Sequence, residues 1–272
     1  MIAGRLAKHS TLWIFSLAAL IPVYTMVSAS FRTQRQFLDS PLGLPTSPTL
    51  HGYRAALSDN FPRWLANSLI LTIGSVAITL AIAALAGWGF ARWRFPLRDA
   101  LLSAIVALMV IPPVVLVVPL FLLGTELDLI NTFWLVIAIY VGLMLPFSIY
   151  LLTSYFRTLP TSLFEAAIVD GASSFAVFRR IALPLSAAPL ITLAVVNVLW
   201  VWNELLIALV FLQSDDSRTL MAGLTAFQNR YNLDIPVVMA GLSLATLPIV
   251  ALYLVGQRWF LHGLVAGSAK GE

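Results

Sequence analysis

Two stretches of the 272-residue sequence place hydrogen-bonding side chains at spacings that can do chemistry, and in both the chemistry is recognition. The first, TSLFEAAIVDGASSFAVFRRIALP at 161–184, holds Glu165, Asp170, Arg179 and Arg180 around Gly171. Ser162 and Glu165 form an S-x-x-E pattern, which predicts a capping box satisfying the orphan amides of a helix's first turn. Asp170-Gly171 predicts a stop, because Gly accepts the positive φ that ends a helix. Ser173 or Ser174 can cap a second short helix, on which Phe175 and Phe178 share a face and Arg179 and Arg180 turn elsewhere. Ala166, Ala167 and Ala172 keep the corner thin, and Pro184 marks the start of the next apolar run. The predicted product is a helix-turn-helix knob with two aromatic anchors, suited to a partner's groove. A capped loop lying on lipid headgroups fits the same residues.

The second stretch is NVLWVWNE at 197–204. Glu204 interrupts an apolar run, where an ionised side chain costs about 2.5 to 3.5 kcal/mol, so it is predicted to face a helix bundle or a wet cavity. Asn197, Trp200 and Glu204 recur at i, i+3 and i+7 and share a helix face, while Asn203 lies to the side.

Other chemistry is missing. The lysines are Lys8 and Lys270, and neither follows the glycine pattern of a phosphate-binding loop. With no cysteine there is no thiolate metal site or disulfide framework. No stripe of Lys and Arg with interleaved aromatics suggests nucleic acid. The chain is expected to have no catalytic residues, metal site or bound cofactor of its own.

The elements that must carry these stretches are apolar. Charged residues make up 10% of the chain, against about 25% in a soluble domain, and hydrophobic residues 60%. Six runs exceed the roughly 20 residues that a spanning helix needs: 9–31, 64–91, 100–125, 129–156, 181–203 and 235–257. Residues 205–211 extend the fifth run past Glu204. The expected fold is therefore an all-α integral membrane protein with six transmembrane helices and a single domain over 1–272. Orientation follows from Lys and Arg. With the N-terminus inside, ten (Arg5, Lys8, Arg92, Arg94, Arg98, Arg157, Arg179, Arg180, Arg258, Lys270) are cytoplasmic, and six (Arg32, Arg35, Arg54, Arg63, Arg218, Arg230) are outside. This predicts N-in and C-in, with 161–184 in the cytoplasm. In the outer loop at 32–63, Pro41, Pro45 and Pro48 favour an extended, ordered path over a helix.

Glu165-Ala166-Ala167, Gly171, Ile181 and Leu183-Pro184 match the pattern EAA-x3-G-x9-I-x-L-P at every fixed position, and this resembles the EAA loop of ABC-importer permease subunits. LPTSPTLHGYRAALSDNFPRWLANSLI, with Tyr53 and Asn67-Ser68, is similar to the first outer loop and second-helix start of the maltose-type carbohydrate permeases. GWGFARWRFPLRDALL resembles their second cytoplasmic link, with Leu97 where a Gly is common. WVWNELLIAL looks like their WN-acid motif, and QRWFLHGLVAGSAKG is similar to the tail of subunits related to the smaller maltose permease. The resemblance covers nearly the whole chain.

It implies a type I ABC importer permease in a bacterial or archaeal inner membrane. The partners would be a second permease subunit, two ATPase subunits that hold ATP and Mg, and an extracytoplasmic solute-binding protein. The loop at about 157–184 would be the coupling helix, seating Glu165, Ala166, Ala167, Asp170, Gly171, Ala172, Phe175, Phe178, Ile181 and Pro184 toward the ATPase. Glu165 can contact the partner or cap the loop, and Gly171 is read as a turn residue before a contact. Sugars bind through amides, carboxylates and ring faces, so Asn197, Trp200, Asn203 and Glu204 are a candidate substrate pathway. Alternatively, Glu204 pairs with a donor in the other permease. A different solute, such as a sugar phosphate or polyol, is the alternative within importers. An ion-coupled secondary transporter would show paired intramembrane charges, where this chain offers Glu204.

Overall fold

The computed structural model describes residues 2–57, 60–226, 228–229 and 232–268, with side chains within 9–57, 60–225 and 234–254. Side chains of Arg5, Lys8, Arg230, Arg258 and Lys270, used above for orientation, and those of the tail QRWFLHGLVAGSAKG lie outside the described residues. In chain order the helices are α1 (Ile2–Ser30), α2 (Gln34–Asp39), α3 (His51–Leu57), α4 (Phe61–Arg92), α5 (Arg98–Ala107), α6 (Pro113–Glu126), α7 (Phe133–Thr158), α8 (Thr161–Val169), α9 (Ser174–Val177), α10 (Leu183–Leu185), α11 (Ala187–Asn203), α12 (Leu206–Phe211), α13 (Leu220–Ala226) and α14 (Ile235–Ser268). A short antiparallel pair, Gln228–Asn229 with Asn232–Leu233, precedes α14.

Four of the six expected runs are single apolar helices of spanning length: His9–Ser30, Phe61–Arg92, Phe133–Thr158 and Ile235–Leu254. The other two are broken. The run at 100–125 bends by 96° between Arg98–Val110 and Pro113–Glu126. The cause is Ile111-Pro112-Pro113. A proline disfavours the helical region for its predecessor, and Ile111 and Pro112 are both extended, at ψ 115° and 132°. A 3₁₀ turn at Leu108–Val110 ends the first arm, and Pro113 opens the second at the position where its missing N–H is not needed.

The run at 181–203 bends by 74° at Ser186. Pro184 therefore does not open the membrane helix; a π stretch, Phe178–Ala182, and α10 come first, and α11 starts at Ala187. Pro189 carries no N–H for the carbonyl of Leu185 and would clash with it in a continuous helix. The Tyr155 hydroxyl donates to that freed carbonyl at 2.9 Å, while the buried Ser186 hydroxyl donates to the Ala182 carbonyl at 2.8 Å. With each bent pair counted as one, the described residues hold up to six spans.

The chain divides into two compact units, Met1–Leu65 with Leu220–Ile249, and Ala66–Thr219 with Val250–Glu272. In the first, the capping box forms at Thr33 and Gln36: Gln36 N–H donates to Thr33 Oγ1 at 3.4 Å, and Thr33 N–H to Gln36 Oε1 at 3.1 Å. The outer loop thus opens with helix α2 before its prolines impose the extended path. Arg32, 1% exposed, pins that path by donating to the Ser40 carbonyl at 2.7 Å. Ala56, Val237 and Ala240 form a small core where Gly52 lies close to the carbonyls of Ser30 and Pro236.

The second unit is organised around α7. In the most apolar stretch of α7, 61% of positions are buried, against 11% in α1, whose Trp13 and Phe15 face outward as a lipid-facing helix allows. One core cluster joins α7 to α12 through Tyr140, Val136 and Phe211. Another joins Trp88 and Phe90 of α4 to Leu152 and Phe156 of α7, Phe164 of α8, Val177 of α9 and Phe178.

Candidate functional site

The 161–184 stretch folds as two short helices joined by a tight reversal. Helix α8 ends in a Schellman arrangement: Ala172 N–H donates to the Ala167 carbonyl at 2.9 Å, and Gly171 N–H to that of Ile168 at 3.0 Å. Gly171 sits at φ 84°, and a Cβ there would meet nothing within 4 Å, so backbone conformation alone requires glycine. Ala167 and Ala172 pack against the core beneath. Ser173 caps α9, its hydroxyl accepting from Ala176 N–H at 3.2 Å.

The expected capping box at Ser162 and Glu165 does not form. Pro160 stands at the N-cap with no side-chain bond, and its preset φ starts the helix at Thr161, ahead of Ser162. Glu165 and Asp170 are exposed and make no side-chain hydrogen bond or ion pair among the described residues, so Glu165 does not cap the loop internally.

The knob has two faces. Inward, Phe164, Val177 and Phe178 are nearly fully buried. Phe164 packs edge-on to Trp88, with ring centroids 5.1 Å apart. Phe178 also meets the rings of Trp88 and Phe156, so it is an anchor of this chain's own core and not free for a partner. Ile181 is half-buried on the same cluster; Ala166 and Pro184 are exposed. Outward, Ile168, Val169 and Phe175 are 57%, 85% and 63% exposed.

Arg92, which entered the sequence reading only as an inside charge, holds the knob's base. Its Nη2 donates to the carbonyls of Phe156 at 2.7 Å and Leu159 at 2.8 Å, and its guanidinium lies 4.3 Å from the centre of the Phe164 ring. A cation is favoured at a helix C-terminus, where carbonyls lack partners. Nearby, Leu97 takes φ 61°, the left-handed region, at the N-cap of α5, so the link between α4 and α5 keeps its tight turn without glycine. Asp99 meets Arg98 at 3.2 Å and Arg157 at 3.3 Å on an exposed surface.

Asn197, Trp200 and Glu204 do share a face, and it is turned to α7. Asn197 is buried and donates to Ser148 Oγ at 3.3 Å. Trp200 packs edge-on to Tyr140, with centroids 5.6 Å apart. Asn203, exposed and to the side, donates to the Leu199 carbonyl of its own helix at 2.7 Å.

Glu204 itself ends α11. Instead of the continuous run to 211, the chain turns extended there and α12 starts at Leu206. The Glu204 carboxylate accepts from Ile207 N–H at 2.8 Å and Ala208 N–H at 3.1 Å, capping α12. It also accepts from the Tyr140 hydroxyl at 2.7 Å. A carboxylate in an apolar run thus finds three donors within its own chain.

Of the four pathway candidates, Trp200 lines a cavity of about 630 Å³, between the broken pair α5–α6 and α7. Its other walls include Ile111, Pro113, Gly142, Pro146 and Phe147, so the cavity is almost entirely apolar. Asn197 and Asn203 do not line it.

Two asparagines tie the segment after α12. Asn67, buried, donates to the carbonyls of Asp216 at 2.9 Å and Arg218 at 2.8 Å. Asn131 accepts from Gln213 N–H and Ser214 N–H, and its own N–H donates to the Phe211 carbonyl. No group of His, Cys, Asp or Glu able to hold a metal occurs among the described residues.

Helices of spanning length, two broken spans and a surface knob between two of them form a fold with a solved counterpart. A chain of the crystal structure of a bacterial ABC transporter involved in import of the acidic polysaccharide alginate aligns with a TM-score of 0.84 at 23% identity, covering 95% of this chain and 96% of that one. The chain belongs to the family of binding-protein-dependent transport system inner membrane components, which matches residues 78–264. It is thus a multi-pass transport subunit, not an enzyme. Among its relatives, an ABC transporter permease protein of Caldicellulosiruptor sp. is 40% identical, covering 95% of this chain and 94% of that one. The trehalose/maltose transport system permease protein MalG of Thermococcus litoralis is 35% identical over the same shares. The diacetylchitobiose uptake system permease protein DasC of Streptomyces coelicolor is 30% identical, covering 98% of each.

Proposed function

We propose that this chain is one of two permease subunits of an ATP-driven importer that moves a carbohydrate delivered by an extracytoplasmic binding protein, and that 157–184 couples it to a separate ATPase. The observation that carries the coupling role is the two-faced knob: Phe164, Val177 and Phe178 lock it to the bundle while Ile168, Val169 and Phe175 stay in the open. Three exposed apolar side chains on a reversal held by a Schellman turn fit the groove of a partner. With N-in and C-in orientation the knob lies in the cytoplasm, where ATPase subunits reside. Glu165 and Asp170, without partners among the described residues, supply charge at the rim of the seat, and Phe175 is its aromatic anchor.

The carbohydrate reading draws on the relatives named for trehalose/maltose and diacetylchitobiose transport. Solute passage would use the broken spans, where bends at Ile111-Pro112 and Ser186 and the gap at Glu204–Leu205 let segments shift without melting a whole helix. Trp200 would meet the solute, and Asn197 and Glu204, bonded to α7, would hold the wall behind it.

The test is co-purification of tagged permease with the second permease and ATPase chains of its system, followed by uptake in vesicles of a sugar chosen by thermal-shift screening of the binding protein. Recovery without an ATPase chain, or loss of the ATPase with no effect on uptake, would overturn the proposal.

A further inference from the structure

Arg92 does more than close a helix end. It stands in the last turn of α4, and one nitrogen, Nη2, donates to the carbonyls of Phe156 and Leu159, where α7 ends. The same guanidinium lies over the Phe164 ring of α8 at 4.3 Å and near the Trp88 ring at 5.6 Å. Nε is buried without a hydrogen-bond partner, while the residue as a whole is half-buried. The backbones of α4 and α7 approach closely one turn away, where a Cβ on Gly87 would come within 3.1 Å of Leu152. One planar cation therefore touches all three elements that meet at the knob's base: the end of α4, the end of α7 and the buried ring of α8. Lysine, a compact point charge on a flexible stem, can reach the two carbonyls but lacks the planar group that extends over the ring.

We propose that Arg92 is a positioning residue that, with the Trp88 ring beside it, carries displacement of the knob to α4. This rests on the coupling reading given above. When α8 moves, Phe164 carries the guanidinium with it. The guanidinium is bonded to the end of α7 and is itself part of α4, so both helix ends follow. Without it, α7 still feels the knob through the covalent link Leu159-Pro160, while α4 keeps only the apolar packing of Trp88 on Phe164 and Phe178, with no hydrogen bond to hold it.

Hydrogen–deuterium exchange on the complete importer, with and without ATP plus orthovanadate, tests the relay and needs no transported solute. In the unmodified complex, trapping should change exchange in 161–177 and also in 86–92. In the Arg92→Lys complex the change in 161–177 should persist and that in 86–92 should shrink about fivefold, the scale on which residues along a coupling route act. An undiminished response at 86–92 overturns the relay. If the Arg92→Lys complex does not assemble, Phe164→Leu, which removes the ring and keeps an apolar side chain, should give the same separation, and an undiminished response there overturns the relay equally. No response in 161–177 of the unmodified complex instead overturns the coupling role of the knob itself.

Discussion

The Tyr140 hydroxyl reaches from α7 to the Glu204 carboxylate at 2.7 Å, across the gap where one helix stops and the next begins. The carboxylate has three donors, and two are backbone amides of α12. Glu204→Ala would leave those amides and the Tyr140 hydroxyl unpaired. A lost helix cap costs about 0.5 to 2 kcal/mol, and an orphaned buried hydroxyl about 1 to 3 kcal/mol. Tyr140→Phe leaves the cap in place and should cost only about 0.5 to 1.5 kcal/mol. Thermal unfolding in detergent should rank them in that order, and the double variant should lose less than the sum of the two single ones. Equal losses would contradict the capping role.

Leu97 holds a left-handed conformation at φ 61° and is 79% exposed. For a side-chain-bearing residue that conformation costs roughly 1 to 2 kcal/mol, and glycine is nearly free of it. Leu97→Gly should therefore raise stability by about 1 kcal/mol, seen as a higher unfolding midpoint. A lower midpoint would mean that the leucine side chain contributes packing that its exposure does not suggest.

Gly171 separates conformation from space. Its φ of 84° disfavours any Cβ, yet a Cβ would touch nothing. Asparagine visits positive φ more readily than alanine does, so ATPase retention on co-purification should fall in the order glycine, asparagine, alanine. If small size mattered instead, alanine would outperform asparagine.

The two faces of the knob should respond differently to substitution. Phe164→Ala removes a nearly buried ring and should cost about 3 to 5 kcal/mol in the permease itself. Val169→Asp alters a residue that is 85% exposed, so the permease's own unfolding should hardly change while ATPase capture weakens at least about tenfold, the range seen for interface anchors. Val169→Asp with unchanged capture would place the ATPase contact elsewhere.

Much of this was legible in the residues. Long uncharged runs predict membrane spans because backbone groups in lipid must pair within the segment. The Gly171 turn and the Ser173 cap followed from local rules, since both depend on φ and on amides a few residues away. The Ser162–Glu165 box failed for an equally local reason, Pro160 having started the helix one residue early, while an unremarked Thr33–Gln36 pair made the real one.

Composition alone could not show where the spans break. A run of apolar residues reads the same whether straight or bent, and proline inside a membrane helix is often absorbed as a mild kink. At Ile111-Pro112-Pro113 two adjacent prolines force a right-angle turn, and at Pro189 the Tyr155 hydroxyl takes over the abandoned carbonyl.

By itself the sequence determined the class of fold, the number of apolar runs and the presence of a capped, reversing loop, because hydropathy and capping act over at most a few turns of chain. Only the tertiary structure decided which side chains the loop hides and which it offers, that Phe178 is internal, that Arg92 closes the end of α7, and that Glu204 caps α12 under Tyr140. Those are contacts between residues 64 or more positions apart in the chain at Arg92–Phe156 and Tyr140–Glu204. Such partners meet by packing, and nothing in the local spacing of either residue specifies the other.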